Sequence, residues 1–95
     1  MELSIAEIPY ENGSVRFQYS RYPNEAGDRW VKHGPFFAYH ENGAIASKGN
    51  YVHGVEQGEW EDYHPDGQLA ARGFYEQSEK IGTWRYWRAN GTEEI

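Results

Sequence analysis

Four histidines (His33, His40, His53 and His64) and the carboxylates of Glu59, Glu61 and Asp62 are the groups in this 95-residue chain whose chemistry invites a site. His40 and His64 lie 24 residues apart. On strands two apart in one sheet, their backbones would be separated by about 9.5 Å, a span two imidazoles can bridge around a metal ion. A third ligand is missing unless Asp62 turns towards them, and the chain has no cysteine. Both histidines also occupy a position just before a turn that Tyr10 and Arg88 fill elsewhere, so repeat position accounts for them and no metal or cofactor is expected. The carboxylates give no acid/base pair, because neighbouring strand residues point to opposite faces and Arg72 stands across from Glu61. No phosphate loop, nucleophile elbow or triad order is present, so the expectation is a protein that is not an enzyme. Asn12-Gly13-Ser14 and Asn90-Gly91-Thr92 match the glycosylation acceptor pattern, but both read as turns.

The elements that would position these groups come from a repeat. Offsetting the sequence by 24 residues aligns Gly34, Gly58 and Gly82, then Phe36, Trp60 and Trp84, then Tyr39, Tyr63 and Trp87, then Gly43, Gly67 and Gly91. Ile45 with Leu69, Gly49 with Gly73 and Tyr51 with Tyr75 continue the match. Residues 9–13 resemble 39–43 at a spacing of 30, so the first copy is degenerate and carries about six extra residues. The chain therefore divides as one domain, 1–95, into a degenerate repeat 1–32 with an insertion at 20–32, and repeats 33–57, 58–81 and 82–95.

Each copy reads as a β-hairpin. Asn12-Gly13, Asn42-Gly43, Asp66-Gly67 and Asn90-Gly91 suit the two positive φ angles of a type I′ turn. That placement pairs His40 with Ile45, Ala38 with Ser47 and Phe36 with Gly49, and in the next copy His64 with Leu69, Asp62 with Ala71 and Trp60 with Gly73. Each large ring then has the space over the glycine opposite. The first copy sets Ala6 against Tyr19 and Ile8 against Phe17. The predicted fold is all-β: a single antiparallel sheet of 24-residue hairpins with about seven strands, near 2–10, 14–22, 30–40, 44–52, 58–64, 68–76 and 82–88, twisted and curled over an aromatic core. Gly73→Val is expected to displace Trp60, and Gly49→Val to be milder because Phe36 is smaller.

Composition agrees with an aromatic core. Four Trp, eight Tyr and four Phe outnumber the Leu, Ile and Val residues. No apolar run reaches ten residues, so neither a membrane span nor a signal peptide is expected, and a cytoplasmic setting fits the lack of cysteine. With 15 acidic against 9 basic side chains, the chain repels nucleic acid and anionic lipid and favours a basic protein partner.

The spacing Gly-x-Trp-x-x-Tyr-x-x-(Asn/Asp)-Gly-x-(Ile/Leu) followed by Gly-x-Tyr stands here as Gly58, Trp60, Tyr63, Asp66, Gly67, Leu69, Gly73 and Tyr75. It resembles the MORN repeat variant of YwqK-type antitoxin proteins, over residues 33–95 closely and 8–22 loosely. Phe36 replaces the Trp in one copy and Trp87 the Tyr in another. The resemblance implies a protein-binding hairpin array that acts as an antitoxin or immunity partner of a toxin; the alternative is a structural or scaffolding repeat without such a partner. The candidate binding residues are Phe37, Tyr39, Tyr63 and Trp87 as flat anchors, Glu59, Glu61, Glu25 and Asp28 as steering acids, and Trp30 from the insertion. Oligomeric state is open.

Overall fold

The computed structural model describes residues 2–95. Among them there are only strands: β1 (Ser4–Pro9), β2 (Val15–Pro23), β3 (Trp30–Tyr39), β4 (Ile45–Val52), β5 (Val55–Glu56), β6 (Gly58–Tyr63), β7 (Leu69–Glu76), β8 (Glu79–Trp87) and β9 (Glu93–Glu94). They form one antiparallel sheet in the order β1-β2-β3-β4-β6-β7-β8-β9, with β5 against β4. The seven predicted strands are all present, and two short ones join them. The sheet is open, with extents of 47 × 36 × 15 Å, so its rings shelter one another and no second layer covers them.

The shelter comes from one row that crosses the sheet. Ala6 faces Tyr19, Phe36 faces Gly49 and Trp60 faces Gly73, as the pattern of small against large predicts, while Tyr19 faces Phe36 across β2 and β3, ring against ring. The ring that fills the space over each glycine, however, is not the one expected. A Cβ at Gly49 would fall inside the Trp60 ring, and a Cβ at Gly73 inside the Trp84 ring. Register alone did not decide this, because every inner strand has two neighbours and the glycine lies opposite an aromatic on both. The ring from the following hairpin leans back over the glycine of the preceding one. Trp60 is thereby 6% exposed. Tyr51 and Tyr75 meet it edge-on at 5.4 and 5.9 Å, Phe36 lies 5.6 Å away, and its Nε1–H donates to the Asn50 carbonyl at 3.2 Å.

The Asn-Gly turns also differ from expectation. Positive φ outside glycine occurs, among the described residues, only at His53, Gln77 and Ser78, so Asn12, Asn42, Asp66 and Asn90 do not adopt it. Each loop has three residues, with the glycine at φ about +90° closing a bulge after a type I turn, as in Gly43 N–H to His40 O at 2.9 Å and His40 N–H to Ala44 O at 2.8 Å. The Asn and Asp residues are there for their side chains: their Oδ1 accepts the amide two residues on, from Ser14, Ala44, Gln68 and Thr92. The bulge shifts the register, so Ile45 and Leu69 face Tyr39 and Tyr63 and not His40 and His64.

Tight two-residue turns with both φ positive lie at the other end of the array, where Val52 pairs Val55 and Glu76 pairs Glu79. His53-Gly54 makes one and Gln77-Ser78 the other. Gln77 is an unfavourable residue for a positive φ. Its amide bonds Gln57 Oε1 through the backbone, so Gln77→Asn keeps that bond and relieves the dihedral. Thermal melts are expected to show a gain of about 0.5 kcal/mol; a loss would place the strain elsewhere.

At one end neighbouring hairpins are joined by side chains that recur with the period, and at the other periodic bonds tie each tight turn back to the segment that opens the same hairpin. His40 Nε2–H donates to the Tyr63 carbonyl and His64 Nε2–H to the Trp87 carbonyl, each at 2.8 Å. Facing a carbonyl, each Nε2 must carry the proton. Tyr10 does the same with its hydroxyl, to Tyr39 O at 2.6 Å. At the far end Gly54 N–H bonds Lys32 O and Ser78 N–H bonds Glu56 O, while the amides of His53 and Gln77 bond His33 Nδ1 and Gln57 Oε1.

Candidate functional site

The face opposite the Trp60 row carries Phe37 and Tyr39 from β3, Lys48 from β4, Glu59, Glu61 and Tyr63 from β6, Arg72 from β7, and Arg85 and Trp87 from β8. Strand alternation puts them on one side, and contacts verify it. Phe37 and Tyr39 stack at 6.5 Å, Tyr63 Oη–H donates to Glu61 Oε1 at 2.9 Å, and the Arg85 guanidinium lies 4.9 Å from the Trp87 ring. Tyr39, Tyr63 and Trp87 repeat every 24 residues and so stand on alternate strands, about 9.6 Å apart.

Charge is woven between the rings. Arg72 donates from Nε and Nη2 to Glu61 Oε2 at 2.9 and 2.6 Å, and its Nε is 3.9 Å from Glu59 Oε2. Lys48 Nζ reaches Glu61 Oε1 at 3.6 Å, and Arg85 grips Glu93 with two bonds of 2.9 Å. Glu61 is only 9% exposed. Burial alone would raise its carboxyl. The hydrogen bonds from Arg72 and Tyr63, with the charges of Arg72 and Lys48, outweigh that and hold it below its ordinary value of 4.5. Burial and the Glu61 carboxylate together push the Tyr63 phenol up.

A depressed carboxylate contributes stability that is fully present above its unfolded value and is lost as pH falls through the folded one. Wild-type protein is therefore expected to lose melting temperature on acidification below about pH 4.5, with Glu61→Gln flattening that part of the curve. Melts between about pH 3 and pH 7 check it; a Glu61→Gln profile parallel to the wild type would remove Glu61 from the acid response.

Six of the nine candidate binding residues share this face: Phe37, Tyr39, Glu59, Glu61, Tyr63 and Trp87. Glu61 is not free to steer a partner, since Arg72, Lys48 and Tyr63 occupy its oxygens. Glu25 and Asp28 lie in the loop between β2 and β3, where Asn24 Nδ2 donates to Asp28 Oδ1 at 2.9 Å. Trp30 belongs to the other face. It extends β3 as the sequence suggests, but it is 55% exposed and so does not close the core. The Arg21 guanidinium stacks on it at 3.9 Å. The periodicity gave no sign of Arg21, which lies inside the insertion.

Period and face together bear on kinship. Residues 32–53 and 56–77 each match the MORN repeat variant. No curated protein and no solved structure matches the chain. The two matched segments are equal in length and offset by 24 residues, and each contains one bulged Asn/Asp-Gly turn. The matched segments carry Tyr39 and Tyr63 at the same register position. A repeat of this kind suggests a binding or scaffold module, with the unit supplying one ring per copy to a shared surface. Among the described residues, no three His, Asp or Glu side chains group as metal ligands; His40 and His64 are used in joining hairpins.

Proposed function

We propose that the chain is a protein-binding module that neutralises a toxin by direct contact in the cytoplasm, through the face bearing Phe37, Tyr39, Tyr63 and Trp87. The observation that carries the reading is the ladder of Tyr39, Tyr63 and Trp87 at equal register on alternate strands, with Arg72, Lys48 and Glu59 between them. Half-buried aromatic rings supply flat contact area at little entropic cost, and such residues dominate interface energetics. The excess of 15 acidic over 9 basic side chains favours a basic partner surface. The resemblance to antitoxin proteins supports the toxin as that partner. In the second reading the same ladder packs against other components of an assembly, as a scaffold.

Tyr39→Ala with Tyr63→Ala is the test. Neither ring lies in the Trp60 row, so the double variant is expected to fold. Its affinity for a partner isolated from the host is expected to fall at least about a hundredfold, as two lost anchors of about 2 kcal/mol each would allow. The partner should arrest growth when expressed alone and be rescued by this chain. Normal binding by the double variant, or a partner without toxicity, moves the weight to the scaffold reading. Association with the true partner should slow as salt rises while dissociation changes little.

A further inference from the structure

The opposite face carries a second patch. Arg21 on β2 and Lys32 on β3 are register partners, so their side chains emerge side by side on the face of the aromatic row. Each leans on rings: Arg21 on Trp30 at 3.9 Å, and Lys32 on Tyr19 and Tyr51 at 5.0 and 5.5 Å. Both are half-buried, and among the described residues neither forms a salt bridge, whereas Lys48, Arg72 and Arg85 all do. The Arg21 Nε–H is buried without an acceptor. A buried charged donor left unpaired is costly. Beside Lys32 opens a groove of about 270 Å³ lined by Ile8, Phe17, Tyr19, Phe36 and Tyr51.

We infer that this patch binds a partner segment presenting a carboxylate next to an aromatic side chain. The outer guanidinium nitrogens of Arg21 and Lys32 Nζ would take the carboxylate, and the groove the ring. Charge complementarity selects the occupant. Two adjacent cations without counter-ions among the described residues sit here in a chain that is otherwise acidic. The guanidinium carbon already lies 3.9 Å from the Trp30 ring centre, so part of its side-chain freedom is lost before binding. The surface is distinct from the Tyr39 and Tyr63 face and needs no toxin.

The probes are acetyl-Ala-Asp-Phe-Ala-amide and its Asn counterpart, titrated into full-length protein while the Arg21 Nε–H and Trp30 indole N–H resonances are followed. The Asp peptide is expected to move both signals, the Asn peptide to bind at least about tenfold more weakly, and Arg21→Gln to weaken the Asp peptide by a similar factor, since a charge-assisted bond is worth that much. Lys32→Gln gives an independent reading should Arg21→Gln melt early. The Tyr39→Ala, Tyr63→Ala variant should bind the Asp peptide normally, which separates this proposal from the toxin reading. Equal binding of both peptides, or indifference to Arg21→Gln and Lys32→Gln in folded protein, overturns it. So does Arg21-dependent binding to phosphatidylglycerol vesicles without binding to the Asp peptide, which would make the patch a lipid contact.

Discussion

Gly49→Val is expected to destabilise the protein by about 3 kcal/mol or more, and by more than Gly73→Val. The added Cβ falls inside the Trp60 ring. That ring is closed in by Phe36, Tyr51 and Tyr75, so it has no free direction in which to retreat. Gly73→Val meets Trp84, near the end of the array. There Tyr75, Tyr86 and the mobile Lys80 side chain stand beside the ring, its indole N–H donates to the Phe74 carbonyl at 3.1 Å, and it is less enclosed than Trp60, so it can swing towards solvent. This reverses the ranking drawn from pairing within one hairpin, which set Gly49 under the smaller Phe36. Urea titrations of the two variants measure the order; a larger loss at Gly73 would restore the within-hairpin assignment.

Trp60→Ala is expected to cost about 3 to 5 kcal/mol, the range for removing a buried large aromatic. Domains of this size have about 5 to 15 kcal/mol in total, so the variant should be partly unfolded at physiological temperature. The loss comprises the contact with the Gly49 backbone, two edge-on tyrosine contacts and the indole bond to Asn50 O. Trp84→Ala should cost less for the reason given above. Denaturant unfolding followed by circular dichroism reads both; a Trp60→Ala variant within about 1 kcal/mol of wild type would show that the row does not hold the sheet together.

Strand positions, the period and the division of faces were legible in the sequence because each depends on local alternation and on turn residues a few positions away. Three features were not. The turn type escaped because Asn42 and its counterparts serve through a side-chain oxygen, and the Asn-Gly dipeptide looks the same whether Asn contributes its φ or its amide group. The start of β8 at Glu79 escaped because Gln77 and Ser78 adopt positive φ without the residues that usually signal it. The ring covering each glycine escaped because it depends on how consecutive hairpins lie against each other. Among the candidate binding residues, the shared face of Phe37, Tyr39, Tyr63 and Trp87 follows from alternation. The engagement of Glu61 and the turning of Trp30 towards Arg21 need tertiary packing, which a single strand's pattern does not contain.

The links between hairpins carry a consequence for how such chains vary in length. His40 reaches Tyr63 and His64 reaches Trp87 over 23 residues, and Tyr10 reaches Tyr39 over 29, the excess equalling the extra residues of the first copy. Every link ends on the next unit and none skips one. Duplicating residues 54–77 in place would thus present each junction with donors and acceptors it already recognises, widening the sheet by about 9.6 Å while existing contacts stay as they are. The copy number is a free parameter of this architecture, so the span of a binding surface can be altered by unequal recombination without redesign of any residue.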